Sequence, residues 1–223
     1  MTTVTLQGAD KPFVVSKIIC VGRNYAKHAK EMKSDIPTVP MLFLKPPSAV
    51  IHNHGHIVIP AISKELHHEV EMTVLIGTGG STISKDKAMS HIAGYGIGLD
   101  MTLRDVQSEA KAKGHPWSVA KGFNTSAPLS EFVPASAVPD PHVLGVELTV
   151  NGTVRQSGST KDFIFRLDHL LSYASQFFTL EPGDVIFTGT PEGVGQAVSG
   201  DTLLARLLGH DGKPITTVMA HVQ

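Results

Sequence analysis

The stretch His67-His68-Glu69-Val70-Glu71-Met72-Thr73-Val74-Leu75-Ile76 anchors the reading of the fold. Its apolar and β-branched residues predict a strand over Glu69–Ile76. Residues two apart in a strand share a face, so Glu69 and Glu71 point one way while Val70, Met72, Val74 and Ile76 point the other. Two readings are open here: an amphipathic strand with one wet face, or a strand that presents two carboxylates to a site. A third acid bears on the choice. Gly94-Tyr95-Gly96-Ile97-Gly98-Leu99-Asp100 reads as an apolar, glycine-rich strand that ends in a carboxylate. Its glycines let another backbone approach closely, and an acid at the end of a buried strand needs a partner. Converging carboxylates repel one another unless a cation lies between them. An all-oxygen ligand set favours Mg²⁺, Mn²⁺ or Ca²⁺ over Zn²⁺ and leaves coordination positions for water or a chelating substrate.

Outward from these strands, short apolar runs separated by turn signals dominate. Further strands are expected at Lys17–Val21, Met41–Leu44, Ile57–Ile59, Ala93–Leu99, Val143–Val150, Asp184–Thr188, Thr202–Leu207 and Thr216–Val222. Asn151-Gly152 is a hairpin signal, because both residues tolerate positive φ. Helices are fewer: Tyr25–Lys33 capped by Asn24, Leu103–Lys113 capped by Thr102 and stopped by Gly114, and Asp168–Phe178. Strands outnumber helices and are not regularly separated by them. That predicts an α+β fold on mixed or antiparallel sheets rather than a doubly wound one. The 223 residues contain no repeat and no low-complexity linker, so 1–223 are expected to form a single domain.

Composition narrows the function classes. Lys+Arg number 19 against 20 Asp+Glu, a net charge of −1, so neither nucleic acid nor anionic membrane is an expected partner. No apolar run approaches the roughly 20 residues that cross a bilayer. The N-terminus lacks the pattern of a signal or transit peptide, which leads to a cytoplasmic expectation. The single cysteine, Cys20, lies in an apolar run and reads as a small buried hydrophobe, consistent with a reducing compartment. Neither Gly94–Gly98 nor Thr188–Gly195 matches a phosphate-loop or dinucleotide pattern, so no nucleotide cofactor is expected.

A second constellation lies at Gly22-Arg23-Asn24-Tyr25-Ala26-Lys27-His28-Ala29-Lys30-Glu31-Met32. His28 and Glu31 are three apart on a predicted helix and share a face. A carboxylate on one imidazole nitrogen fixes the tautomer and raises basicity at the other, which makes a general base. The bland reading is a solvated helix carrying Lys27, Lys30 and Glu31.

The segments Gly22–Tyr25 with His28 and Glu31, Phe43–Pro46, His67–Glu71, Leu99–Thr102 with Arg104–Gln107, Ala120-Lys121 and Thr188–Gly195 occur in that order. Together they resemble the fumarylacetoacetate hydrolase family, most closely its short members: acylpyruvases, fumarylpyruvate hydrolases, and oxaloacetate decarboxylases or tautomerases. The likeness runs from about Ser16 to about Leu207. It implies a β-roll-like core of mixed sheets flanked by helices, usually in a homodimer. It implies Mg²⁺ or Mn²⁺ on Glu69, Glu71 and Asp100, with His28 and Glu31 activating water on a segment that closes over ligand. Lys121 would be the active-site cation, and Arg23, Lys45, Arg104, Gln107 and Thr190 would line the substrate pocket. The separate N-terminal domain of full fumarylacetoacetases is missing, which favours a smaller 2-keto or diketo acid.

On that resemblance the first expectation is hydrolysis of an acylpyruvate of the fumarylpyruvate or acetylpyruvate type. His28 would deprotonate water and a pyruvate enolate would leave, its charge stabilised by the metal. The alternatives are oxaloacetate decarboxylation or tautomerisation at the same site, and a non-catalytic member that binds a dicarboxylate or a partner. A rival from another class uses imidazoles: His52, His54 and His56 alternate ahead of His67-His68, as a cupin-like or zinc module would have them. Pro60 and Ala61, however, stand where a cupin motif needs its glutamate. No G-x-S-x-G elbow is present.

Overall fold

In the computed structural model, which describes residues 1–31 and 35–223, Val70–Ile76 is an inner strand of a six-stranded mixed sheet. The order is Val133–Pro134, Ile92–Leu99, Val70–Ile76, Val185–Phe187, Ile18–Val21, Leu42–Lys45. All neighbours are antiparallel except Val185–Phe187 with Ile18–Val21. A five-stranded sheet packs against it, ordered Thr153–Ser159, Gly145–Val150, Thr202–Leu208, Pro214–Val222, Gly55–Ile57. The hairpin joining its first two strands turns through Asn151 (φ 51°) and Gly152 (φ 79°), the paired positive φ that a two-residue type I′ turn requires. The architecture is α+β with few helices, as the pattern predicted.

The expectation of a wet face on Val70–Ile76 is corrected: all seven residues are buried. Val70, Met72, Val74 and Ile76 join the main core with Leu148, Leu203 and Val218 of the second sheet. Leu75, on the other face, joins a smaller core of Ile18, Cys20, Phe132, Val185 and Phe187. A strand covered on both sides loses the alternation of an edge-facing one. Thr202–Leu208, with one face half exposed, keeps it. The glycines opposite Glu71, Thr73 and Leu75 are Gly98, Gly96 and Gly94. A methyl group on Gly98 would sit 2.8 Å from the Phe187 ring, and one on Gly96 3.0 Å from Phe132. At these two positions the glycines make room for aromatic side chains rather than for another backbone.

Other boundaries shift by a residue or two. Glu69 falls between Val70–Ile76 and a separate strand, Leu66–His68, which pairs with Thr102–Leu103 and Gly195–Gln196 in a sheet the sequence did not disclose. Thr102 is therefore a strand residue, its hydroxyl donating to the Asp100 carbonyl at 3.1 Å, and not the cap of helix Arg104–Lys113. Gly114, at φ 67°, ends that helix as expected. Of the three expected helices, the first spans Ala26–Glu31, with Met32 and Lys33 outside the described residues, and the last is Leu167–Ala174, which stops four residues short of the expected Phe178. Among the described residues no helix is long and apolar enough to cross a membrane.

Candidate active site

Two adjacent strand ends bring the acids together. Glu71 pairs with Gly98 inside the ladder, and the Asp100 N–H extends it by donating to the Glu69 carbonyl at 2.8 Å. Glu69, Glu71 and Asp100 are buried, each with a carboxylate oxygen within 4.8 Å of the others'. The Lys121 ammonium, from the short helix Ser118–Lys121, lies 2.8 Å from Glu69 Oε2, 2.6 Å from Asp100 Oδ2 and 2.7 Å from Thr102 Oγ1. Lys45 lies 2.8 Å from Asp100 Oδ1 and donates to the carbonyls of Met101, Ser126 and Lys121. Arg104 donates to Glu69 Oε1 at 2.5 Å and to Gln107 Oε1 at 2.6 Å. Glu71 Oε2 accepts from the Gly189 N–H at 2.6 Å.

The charges are shared unequally. Burial, then repulsion from Asp100 and Glu69, pushes the Glu71 carboxyl well above the usual range. Burial works the same way on Glu69, but Lys121 and Arg104 overcome it and hold that carboxyl below its ordinary value. Burial would lower the Lys121 ammonium, yet Asp100 and Glu69 raise it. Asp100 Oδ1 touches Lys45 but receives no directed hydrogen bond. An under-donated buried oxygen, one acid destabilised by its neighbours and an oxygen-only donor set fit a hard divalent cation on Glu69, Glu71 and Asp100.

At Glu69 a small cavity is lined by that acid with Arg23, His28, Arg104, Gln107 and Lys121, together with Lys111 and Trp117. His28 Nδ1 faces Glu31 Oε2 at 3.3 Å, and Glu31 Oε1 accepts from the Gly193 N–H at 3.0 Å. Asn24 does not cap its helix. Its amide accepts from the Phe165 N–H at 2.7 Å and donates to the carbonyls of Phe165 and Thr188, tying the start of the helix to the 188–195 loop. The His67 imidazole is lowered to about 4, by burial and then by Arg104, so it stays neutral beside that guanidinium.

Two residues expected at the pocket are not among those that line this cavity. Lys45 is enclosed and committed to Asp100 and backbone carbonyls. The Thr190 hydroxyl donates to the Val70 carbonyl and accepts from Gln156 Nε2, both at 2.8 Å, which leaves it no donor for a substrate carboxylate. Lys111 was missed. Its signal was available, since Arg104, Gln107 and Lys111 recur at i, i+3 and i+7 on one helix face. Gln156 was missed too: it holds His68, the Val70 N–H and Thr190 across long separations, and nothing local marks it. A roomier, apolar cleft between Met41–Leu44 and His115–Ser118 shares Trp117 but contains no acid. His52, His54 and His56 are exposed. Among the described residues the acidic triad is the one group of three or more His, Cys, Asp or Glu placed to share an ion.

Comparison with known proteins agrees with this geometry. The family model for the fumarylacetoacetate hydrolase C-terminal domain matches residues 17–222. The chain is 50% identical to the mitochondrial oxaloacetate tautomerase FAHD1 of Mus musculus over 192 residues, 86% of this chain and 87% of the mouse protein. It is 48% identical to the oxaloacetate tautomerase YcgM of Escherichia coli K12 over 205 residues, 92% and 94% of the two chains. It superposes on a fumarylpyruvate hydrolase of Pseudomonas aeruginosa, solved in complex with Mn²⁺ and pyruvate, with a TM-score of 0.91 and 38% identity over 99% of this chain and 94% of that one. With nearly the whole chain matched in sequence and in fold, the protein belongs to the fumarylacetoacetate hydrolase family.

Proposed function

We propose that the chain is a divalent-metal-dependent oxaloacetate tautomerase that interconverts the keto and enol forms. One observation carries the reading: His28, backed by Glu31, shares a small cavity with Lys121 and with Glu69 of the acidic triad. One proton-transfer group beside a site for a 2-keto acid suffices for tautomerisation. The two relatives named as tautomerases, at 50% and 48% identity, place this alternative ahead of acylpyruvate hydrolysis, which was the first expectation.

A divalent cation held by Glu69, Glu71 and Asp100 would supply Lewis acidity at the keto oxygen. The His28 nitrogen not facing Glu31 takes a proton from C3 and delivers it to the keto oxygen: a C–H bond breaks and an O–H bond forms. Glu31 fixes the tautomer and stabilises the transient imidazolium. Lys121 bonds Glu69 and Asp100 and holds the Glu69 carboxyl ionised, and the linked Arg104–Gln107 pair faces substrate oxygens. The reading keeps residues 1–223 as one catalytic domain in a homodimer. A second reading, acylpyruvate hydrolysis with His28 deprotonating water, is favoured by the likeness to the fumarylpyruvate hydrolase. Oxaloacetate decarboxylation would use the same groups without activating water.

The test follows the ultraviolet absorbance of enol oxaloacetate, with Mg²⁺ or Mn²⁺ and with EDTA, alongside pyruvate release. EDTA-sensitive enol-to-keto conversion without pyruvate supports the tautomerase. Pyruvate from acetylpyruvate or fumarylpyruvate, with no acceleration of tautomerisation, assigns hydrolysis instead. Pyruvate from oxaloacetate assigns decarboxylation.

A further inference from the structure

The cations around the cavity differ in how they are committed. Lys121 contacts Glu69 and Asp100, Lys45 contacts Asp100, and Arg104 contacts Glu69. These three cations are committed to Glu69 and Asp100, while Glu71 accepts from the Gly189 N–H. Arg23 and Lys111 line the same cavity, and among the described residues neither has an acidic partner within ion-pair distance. Lys113, on the same helix as Lys111, shows the ordinary alternative: it pairs with Glu109 at 2.5 Å one turn away.

Lys111 is also placed by more than its helix. Its ammonium lies over the Trp117 indole, 5.0 Å from the ring centroid. Trp117 is in turn packed edge-on against Phe43 with centroids 6.0 Å apart. The side chain is thus held on an aromatic wall of the cavity. Burial, and then repulsion from Arg104 and Arg23, lowers its ammonium, a cost that an incoming anion relieves.

We propose that Lys111, together with Arg23, binds the second carboxylate of a dicarboxylic 2-keto acid and is the residue that selects a dianionic substrate over one with a neutral tail. This rests on the tautomerase reading of the site and adds the chemistry that separates a dicarboxylate such as oxaloacetate from a 2-keto acid with a neutral tail such as acetylpyruvate. The 2-keto-carboxylate end belongs to the Glu69 side of the cavity, where Lys121 and Arg104 are already paired with that acid. The distal carboxylate then meets the two cations that have no acid.

The test compares oxaloacetate with its 4-methyl ester, which keeps the enolisable C3 and removes the distal charge. For Lys111→Met the ratio of kcat/KM between acid and ester should fall about tenfold to a hundredfold, the worth of one charge-assisted hydrogen bond, chiefly through KM for the acid. Lys111→Arg should restore most of the ratio, and Lys113→Met should leave it unchanged. Equal losses for acid and ester in Lys111→Met would overturn the proposal and mark the lysine as structural. Calorimetric binding of the two ligands to the Mn²⁺-loaded protein makes the same comparison without turnover. A wild-type enzyme that binds oxaloacetate but does not tautomerise it would sink the tautomerase reading. The acid-to-ester ratio of dissociation constants, falling in Lys111→Met or not, would still decide for or against Lys111.

Discussion

The acidic triad and the His28–Glu31 dyad each send one residue, Glu69 and His28, to the same cavity but are anchored in opposite ways. Glu71 sits inside a seven-residue strand paired on both sides, and Glu69 and Asp100 continue the same ladder. His28 and Glu31 ride on a six-residue helix, far shorter than the roughly 12 residues at which an isolated helix becomes even marginal in water. That helix is held by side-chain contacts: Asn24 to Phe165 and Thr188, and Glu31 to Gly193. The difference separates two tasks. Charge that must stay buried is set on the most heavily bonded backbone, while the group that moves a proton is set on an element few bonds hold. The first region should therefore answer substitution in stability and metal affinity, the second in rate.

The sharpest break of this division comes from His28→Ala. Tautomerisation should fall by about 10² to 10⁴ in kcat, the usual worth of a general acid–base group, with melting temperature and metal affinity unchanged. Oxaloacetate decarboxylation, if present, should fall much less, because its enolate forms by loss of CO₂ rather than by removal of a proton from C3. A variant that loses metal instead would merge the two regions into one. Next is Lys45→Met, in the inner layer. It leaves Asp100 Oδ1 and three carbonyls without this buried cation, although Lys121 remains on Oδ2, and should cost about 3–5 kcal/mol in denaturant unfolding. Retained stability would show that the triad does not depend on its buried partners.

Asn24→Ala probes the tether between the regions. It removes three buried hydrogen bonds and should cost about 1–3 kcal/mol, with a loss in kcat larger than any loss in metal affinity. The smallest effect is the pH dependence of metal binding. Glu71 is raised in the metal-free protein, so the fold holds a proton that the unfolded chain has released. That group stabilises the metal-free fold below its folded pKa, and the contribution is lost as pH rises through it. A cation must displace the same proton, so affinity for Mn²⁺ should climb with pH, by at most about tenfold per unit, until Glu71 is ionised. Calorimetric titration over a range of pH would read it, and Glu71→Gln should flatten the slope as it weakens binding.

Much of this was legible one residue at a time. The turn at Asn151-Gly152, the stop at Gly114, the α+β pattern and the pairing of His28 with Glu31 follow from local rules of φ, spacing and alternation. Thr102 misled for the same reason, because a threonine before a helical run reads as a cap until a strand partner claims it. Lys111 could have been found from helical spacing and was passed over.

The sequence by itself determined which residue types could meet: acids two apart on a strand, an acid closing a glycine-rich strand, a base and its carboxylate one turn apart. Backbone periodicity fixes those relations within a segment. Tertiary structure alone decided that Val70–Ile76 is covered on both faces, that Lys45 is bonded to Asp100 and backbone carbonyls and Thr190 to the Val70 carbonyl, and that Gln156 reaches across from the second sheet. Each of these depends on what packs against a strand from another part of the chain. The energy that settles it, burial against desolvation, is a property of the neighbours and not of the segment.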